Sequence, residues 1–238
     1  MNESKCKFMV FGSSRKINKI DSVHINIYDH TLERTDSFKY LGVIFNENLT
    51  CHDHIDYLGK KINQQIDLLK RVRYFLPLEA RITLHNSLIS PLFDYADIVW
   101  GDRNNEVLMN YLQTLQNKAC KIILNRSKYS SASEALCILN FNNLSNRRKV
   151  HRLVNVYKCI NDGIDFNLLQ DIFLNESIHS YNTRSKGHFH LPKVRTNWGK
   201  QKFTYHALKE FNALPSEIKE KQSTSSFKKA LMNYLQMF

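Results

Sequence analysis

Two periods of apolar residues divide the chain near residue 48. Before it, Val23, Ile25 and Ile27 alternate with His24, Asn26 and Tyr28, and Phe38–Phe45 is a run of aromatic and β-branched residues interrupted by Gly42. Alternation places successive side chains on opposite faces of an extended chain, so this segment predicts strands. With the extended run Cys6–Gly12 it amounts to three or four short strands. After Asn48 the period lengthens. Ile55, Leu58, Ile62, Ile66, Leu69 and Val72 recur at steps of three and four, which gathers them on one face of a helix.

Punctuation sets the helices that follow. Thr50 with Asp53 three residues on has the form of a capping box. Pro77 stands where a helix starts, and the pattern behind it runs to Trp100-Gly101 with a bend at Pro91. A third helix covers roughly residues 104–125. Ser131 and Glu134 cap a short one through Leu139, and another covers about Leu144–Asn161 with Gly163 just past its end. Residues 176–200 are polar, basic and without period. Two last helices, near 201–213 and 224–237, flank Leu214-Pro215. The expected fold is α+β but mostly α: a β segment over 1–48, a helical bundle over 49–128 and a basic helical region over 129–238.

Composition narrows the partners. The chain has 238 residues, 34 Lys and Arg against 22 Asp and Glu, a net charge of +12 and a pI near 9.5. A field of that sign favours polyanions, nucleic acid foremost. No apolar run approaches the roughly 18 to 20 residues of a membrane span. Met1–Phe11 lacks the charged-then-apolar form of a signal peptide, so nucleus or cytoplasm is expected. Cys6, Cys51, Cys120, Cys137 and Cys159 are widely spaced with no CxxC, which suits mostly buried thiols in a reducing compartment and no structural zinc.

The basic residues are not spread evenly. On 144–161 lie Arg147, Arg148, Lys149, Arg152 and Lys158 with no acid from 147 to 161, and Arg148 and Arg152 are expected on the exposed side, opposite Val150, Leu153 and Tyr157. Like charges at i,i+4 repel, so an absent anion is expected there. Residues 184–209 mix Arg184, Lys186 and further cations with aromatics, a composition suited to single strands or, equally, to a basic connection docked on the bundle. On the helix after residue 50, the face away from the apolar stripe carries Lys60 with Asn63, Gln64, Asp67, Lys70 and Arg71. Its interleaved acids also fit an ordinary solvated face.

Motif order adds a resemblance. Asn2-Glu-Ser-Lys5-Cys-Lys7-Phe-Met9-Val-Phe11 resembles the N-x-x-K-x-K-x-M-x-F stretch of jockey-type LINE (non-LTR) retrotransposon reverse transcriptases, and Phe38-Lys39-Tyr40-Leu41-Gly42-Val43 resembles their Y-L-G-V hairpin. Leu76-Pro77, Leu88-Ile89-Ser90-Pro91, Tyr95, Val99-Trp100-Gly101, Leu115-Gln116-Asn117-Lys118-Ala119 and Tyr181-Asn-Thr-Arg184-Ser185 follow in the family's order. Phe211-Asn212-Ala-Leu214-Pro215 is similar to its W-N-x-L-P, with Phe for Trp.

The resemblance implies the end of a palm, a thumb and a C-terminal region that hold template–primer nucleic acid. Lys39 and Tyr40 would form a primer grip, although a strand aromatic packed on its sheet is an equal reading of Tyr40. Lys60, Lys61, Arg148, Arg152, Arg184 and Lys186 would meet phosphates. The family's magnesium-binding aspartates would lie before Met1, so no catalytic residue and no cofactor is expected in this chain, which alone would be inactive. Tyr95-Ala96-Asp97 imitates the family's Y-A-D-D, yet it lies downstream of the hairpin on a helical pattern, where Asp94 and Asp97 would share a face. A host-retained protein-interaction module and a relic reading frame without activity remain as alternatives.

Overall fold

Short strands of two to four residues open the computed structural model, which describes residues 6–20, 23–27, 30–101, 106–161, 188–195, 199 and 202–236. They are β1 (Lys7–Phe8), β2 (Asn26–Ile27), β3 (His30–Thr31), β4 (Glu33–Arg34), β5 (Ser37–Tyr40) and β6 (Val43–Asn46), with a helical turn α1 (Ser14–Ile17) after β1. They pair two by two, β1 with β4 in parallel and β2 with β3 and β5 with β6 antiparallel. The half-buried strand expected around Val23–Ile27 shrinks to β2, with Val23 and Ile25 exposed. The alternation is present, but among the described residues no neighbouring layer covers Val23 and Ile25.

The β5–β6 hairpin pairs Phe38 with Phe45 and Tyr40 with Val43. Leu41 and Gly42 both have positive φ, 45° and 83°, the two-residue turn whose twist matches a hairpin. The Tyr95 ring lies 3.0 Å from where a Cβ on Gly42 would stand, and the Tyr95 hydroxyl donates to the Leu41 carbonyl at 2.7 Å. Glycine is therefore required twice over, by φ and by the ring.

Helix α2 (His52–Val72) buries the expected stripe of Ile55, Leu58, Ile62, Ile66 and Leu69. Its start differs from a capping box: the Asn46 side chain donates to both Thr50 Oγ1 and Asp53 Oδ2 and accepts the Thr50 N–H. The single bent helix expected next is broken into α3 (Leu78–Leu84), a π-helical turn (His85–Ile89), α4 (Ser90–Asp94) and α5 (Asp97–Trp100). Ala96, at φ 51°, makes the break between the last two. Trp100 is fully buried there, its indole N–H donating to the Tyr95 carbonyl at 2.8 Å.

Helix α6 (Glu106–Ile123) packs on α2 and runs the same way, since Gly59 abuts Tyr111 and Lys118 donates to Asn63 at 3.0 Å. The Ser131 side chain caps α7 (Ala132–Ile138) through the Glu134 N–H, as its sequence predicts. Then come α8 (Leu144–Asn161), α9 (Phe203–Asn212), α10 (Ser216–Lys219) and α11 (Thr224–Gln236). Gly163 and most of 176–200 lie outside the described residues.

Among the described residues two hydrophobic cores result, in an α+β fold that is mostly α. One runs from Val43 through α2, α4 and α6 to Ala135, Leu139 and Leu144. The other joins Val150, Leu153, Val156 and Tyr157 of α8 to Leu208 and Phe211 of α9 and Phe227 and Leu231 of α11. Helix α8 contributes to both, Leu144 to the first and Val150 onward to the second. No helix among the described residues is long and apolar enough to cross a membrane. The five cysteines form no disulfide, and only Cys51 and Cys120 are buried; burial pushes the Cys120 thiol up to about 12.

Candidate nucleic-acid interface

The basic helix α8 is not the exposed surface its sequence suggests. Arg148 is 5% exposed and Arg152 6%, both on the buried side. Anions come to this helix from elsewhere in the chain. Arg147 pairs with Asp94, the His151 imidazole meets Asp97 at 2.6 Å, and Arg152 forms a bidentate pair with Glu210 at 3.0–3.1 Å. The Arg148 guanidinium sits 5.5 Å from the Trp100 ring centre, beside Gly101. Long-range partners thus reach Arg147, His151 and Arg152, which local spacing left without acids, and the exposed position expected for Arg148 and Arg152 is corrected to a buried one. Of the apolar side, Val150, Leu153 and Tyr157 are buried, while Ile160 is exposed.

The same ties dispose of the Tyr95-Ala96-Asp97 imitation. Ala96 separates Asp94 and Asp97 into two helices, and each carboxylate is engaged by a side chain of α8, Asp94 by Arg147 and Asp97 by His151. They do not fit a magnesium pair. Among the described residues no group of three or more His, Cys, Asp and Glu is arranged to hold a metal ion.

A different cluster stays open to solvent where the hairpin meets α2. The Lys39 ammonium donates to the Tyr57 hydroxyl at 2.8 Å and lies 4.5 Å from that ring's centre; Lys61 lies 4.8 Å from it. Lys39, Lys60 and Lys61 are exposed, and Tyr57 is half-buried. The hydrogen bond from Lys39, with Lys61 behind it, lowers the Tyr57 hydroxyl's pKa from the ordinary 10.0. Behind this patch His54 is 1% exposed, its Nδ1 accepting the Ile44 N–H at 3.3 Å and its ring edge-on to Trp100. Since Nδ1 accepts, the proton of the neutral ring sits on Nε2. Burial first, and the Lys39 charge second, lower the His54 pKa and keep it neutral. The histidine thereby fixes the hairpin on α2 and sets Lys39 beside Tyr57.

Lys39 and Tyr40 do not converge. Neighbours on a strand face opposite ways, and Tyr40, 61% exposed, instead borders an open apolar groove of about 300 Å³ with Phe8, Met9, Phe11, Phe38 and Phe45. The structure thus joins Lys39 to Lys61, separates both from Tyr40 and buries Arg148 and Arg152; Arg184 and Lys186 lie outside the described residues. The sequence pattern does not single out Tyr57, although its i,i+4 spacing from Lys61 is the signal that finds it.

Comparison with known proteins gives a distant relative. Over 142 residues, 58% of this chain, it is 27% identical to the RNA-directed DNA polymerase from mobile element jockey of Drosophila funebris. The matched stretch spans 15% of that polymerase. No family model and no solved structure matches. The chain is therefore distantly related to the jockey polymerase.

Proposed function

We propose that this chain is a palm-end and thumb portion of a non-LTR retrotransposon reverse transcriptase and that it grips template–primer nucleic acid across the junction of the β5–β6 hairpin and α2. The observation that carries this is the convergence of Lys39 and Lys61 on the Tyr57 ring, exposed and held in place by buried His54. Two ammonium groups flanking a ring suit a sugar–phosphate backbone: the lysines meet phosphates, and the ring limits where the strand lies. Lys60, on the next exposed position of α2, extends the basic strip. Kinship with the jockey polymerase and the net charge of +12 support the same reading.

On this reading the groove beside Tyr40 is where the remainder of a polymerase packs. The groove also favours a second reading, a protein-interaction module, because six apolar or aromatic side chains line it in the open. Photocrosslinking of an RNA–DNA hybrid to the full chain separates the two. Crosslinks mapping to residues 39–61 are expected. Crosslinks confined to other segments, or none at low salt, would reject the grip.

A further inference from the structure

The far end of α2 carries a second basic surface, built differently from the first. Tyr74 is 71% exposed and Phe75 86%, both in the turn that leaves α2. Tyr129, in the turn that leaves α6, is 85% exposed. These turns belong to one end of the bundle, because α2 and α6 run the same way and Arg81, near the start of α3, donates to the Ile123 carbonyl at the end of α6. Leaving three large rings in water is costly for a free surface, since each forgoes the burial that aromatic side chains ordinarily find.

Both turns are locally fixed. The Phe75 N–H donates to the Val72 carbonyl at 3.0 Å. The Tyr129 turn is closed by Ser130 N–H to the Ser127 carbonyl at 3.1 Å and by Lys121 Nζ to the Lys128 carbonyl at 2.9 Å. Cations lie directly on the rings: the Arg73 guanidinium is 4.5 Å from the Tyr74 ring centre, and the Lys128 ammonium 4.8 Å from that of Tyr129. Exposed Lys70 and Arg71 stand on the last turn of α2. A protein-docking patch gathers aromatic side chains and arginine but sheds lysine, whereas Lys70 and Lys128 stand among the rings of this one. Here three exposed rings, with Leu68 the exposed aliphatic neighbour on α2, are interleaved with arginine and with lysine, the chemistry that stacks bases and pairs their phosphates.

We infer that this end of the bundle is a single-strand nucleic-acid platform, with Tyr74, Phe75 and Tyr129 as stacking surfaces and Arg71, Arg73 and Lys128 as phosphate partners. Building on the grip at Lys39 and Lys61, the platform takes the unpaired strand that continues beyond the gripped duplex. From Tyr57 to Val72 the axis of α2 advances about 22 Å. That is about six base steps at roughly 3.4 Å each, so one strand reaches both surfaces.

The test uses the full chain and two probes: a blunt RNA–DNA hybrid, and the same hybrid carrying a single-stranded RNA overhang. Wild type is expected to bind the overhang probe more tightly than the blunt one. The triple variant Tyr74→Ala, Phe75→Ala, Tyr129→Ala is expected to lose that gain, by about tenfold or more, while holding the blunt duplex as before. A triple variant that keeps aromatic rings, Tyr74→Phe, Phe75→Tyr, Tyr129→Phe, is expected to retain it. Equal binding of the overhang by wild type and the alanine variant overturns the platform. So does self-association of the chain that the alanine variant abolishes, with no effect on single strands. Failure to hold the blunt hybrid, combined with aromatic-dependent binding of free single-stranded RNA, removes the grip and leaves the platform standing.

Discussion

The Arg152 guanidinium meets the Glu210 carboxylate through Nε at 3.1 Å and Nη2 at 3.0 Å, binding α8 to α9 across 58 residues of sequence. A planar fork on a carboxylate is geometrically demanding, and both side chains are largely out of water. Removing one member leaves the other charged in a poor solvent. Arg152→Ala is therefore expected to destabilise the chain by about 3 kcal/mol or more, read as a lowered urea midpoint. Arg152→Ala combined with Glu210→Ala is expected to cost less than the sum of the two single changes, because each single variant strands a charge that the double variant does not. Additive costs would show that the pair is not coupled.

That pair also marks where the sequence stopped being legible. The stripe of α2, the Ser131 cap and the mostly helical fold follow from local spacing, which determines one face or one turn at a time, and the hairpin at Leu41-Gly42 follows from the motif resemblance. Arg148 and Arg152 do not. Spacing shows that α8 has no acids of its own, but Asp94, Asp97 and Glu210 approach it from other helices, and local spacing says nothing of that. Lys39 and Lys61 were each visible in the sequence. Their meeting on Tyr57 depends on how His54 docks the hairpin.

Gly101 lies between the Asp97 carbonyl, whose oxygen accepts its N–H at 2.6 Å, and the Arg148 side chain. A Cβ at this position would meet that carbonyl and stand 2.8 Å from Arg148 Cδ. The carbonyl belongs to the backbone of α5 and cannot swing away. Gly101→Ala is expected to destabilise by about 1–3 kcal/mol even though alanine is the better helix former. A neutral or stabilising result in thermal unfolding would contradict the packing of Arg148 against this turn.

Stability is expected to fall in two steps as pH drops. His54 and His85 are each 1% exposed, and burial is the main cause that lowers their pKa below the ordinary 6.5. Below pH 6.5 the unfolded chain binds protons that the folded chain refuses, so stability is full above that value and is lost as pH falls from it. Burial pushes the Glu210 carboxyl up, but the His206 hydrogen bond and the Arg152 charge more than offset it and hold it below 4.5. Its contribution is present above 4.5 and is lost as pH falls further. Urea midpoints taken from pH 7.5 to 3.5 test both steps, and His54→Asn is expected to shrink the first. A midpoint unchanged between pH 7.5 and 5.5 would contradict the neutral buried histidines.

The grip at the hairpin and α2 is tested most directly by the salt dependence of binding. Affinity of the full chain for an RNA–DNA hybrid is measured across a salt series, for wild type and for Lys39→Ala with Lys61→Ala. Each phosphate contact contributes about 0.9 to the slope of log affinity against log salt on a B-form duplex. Wild type is expected to bind with a steep salt dependence and the variant with a slope shallower by about 1 to 2, with unfolding midpoints little changed. Identical slopes for the two proteins would contradict a grip through Lys39 and Lys61.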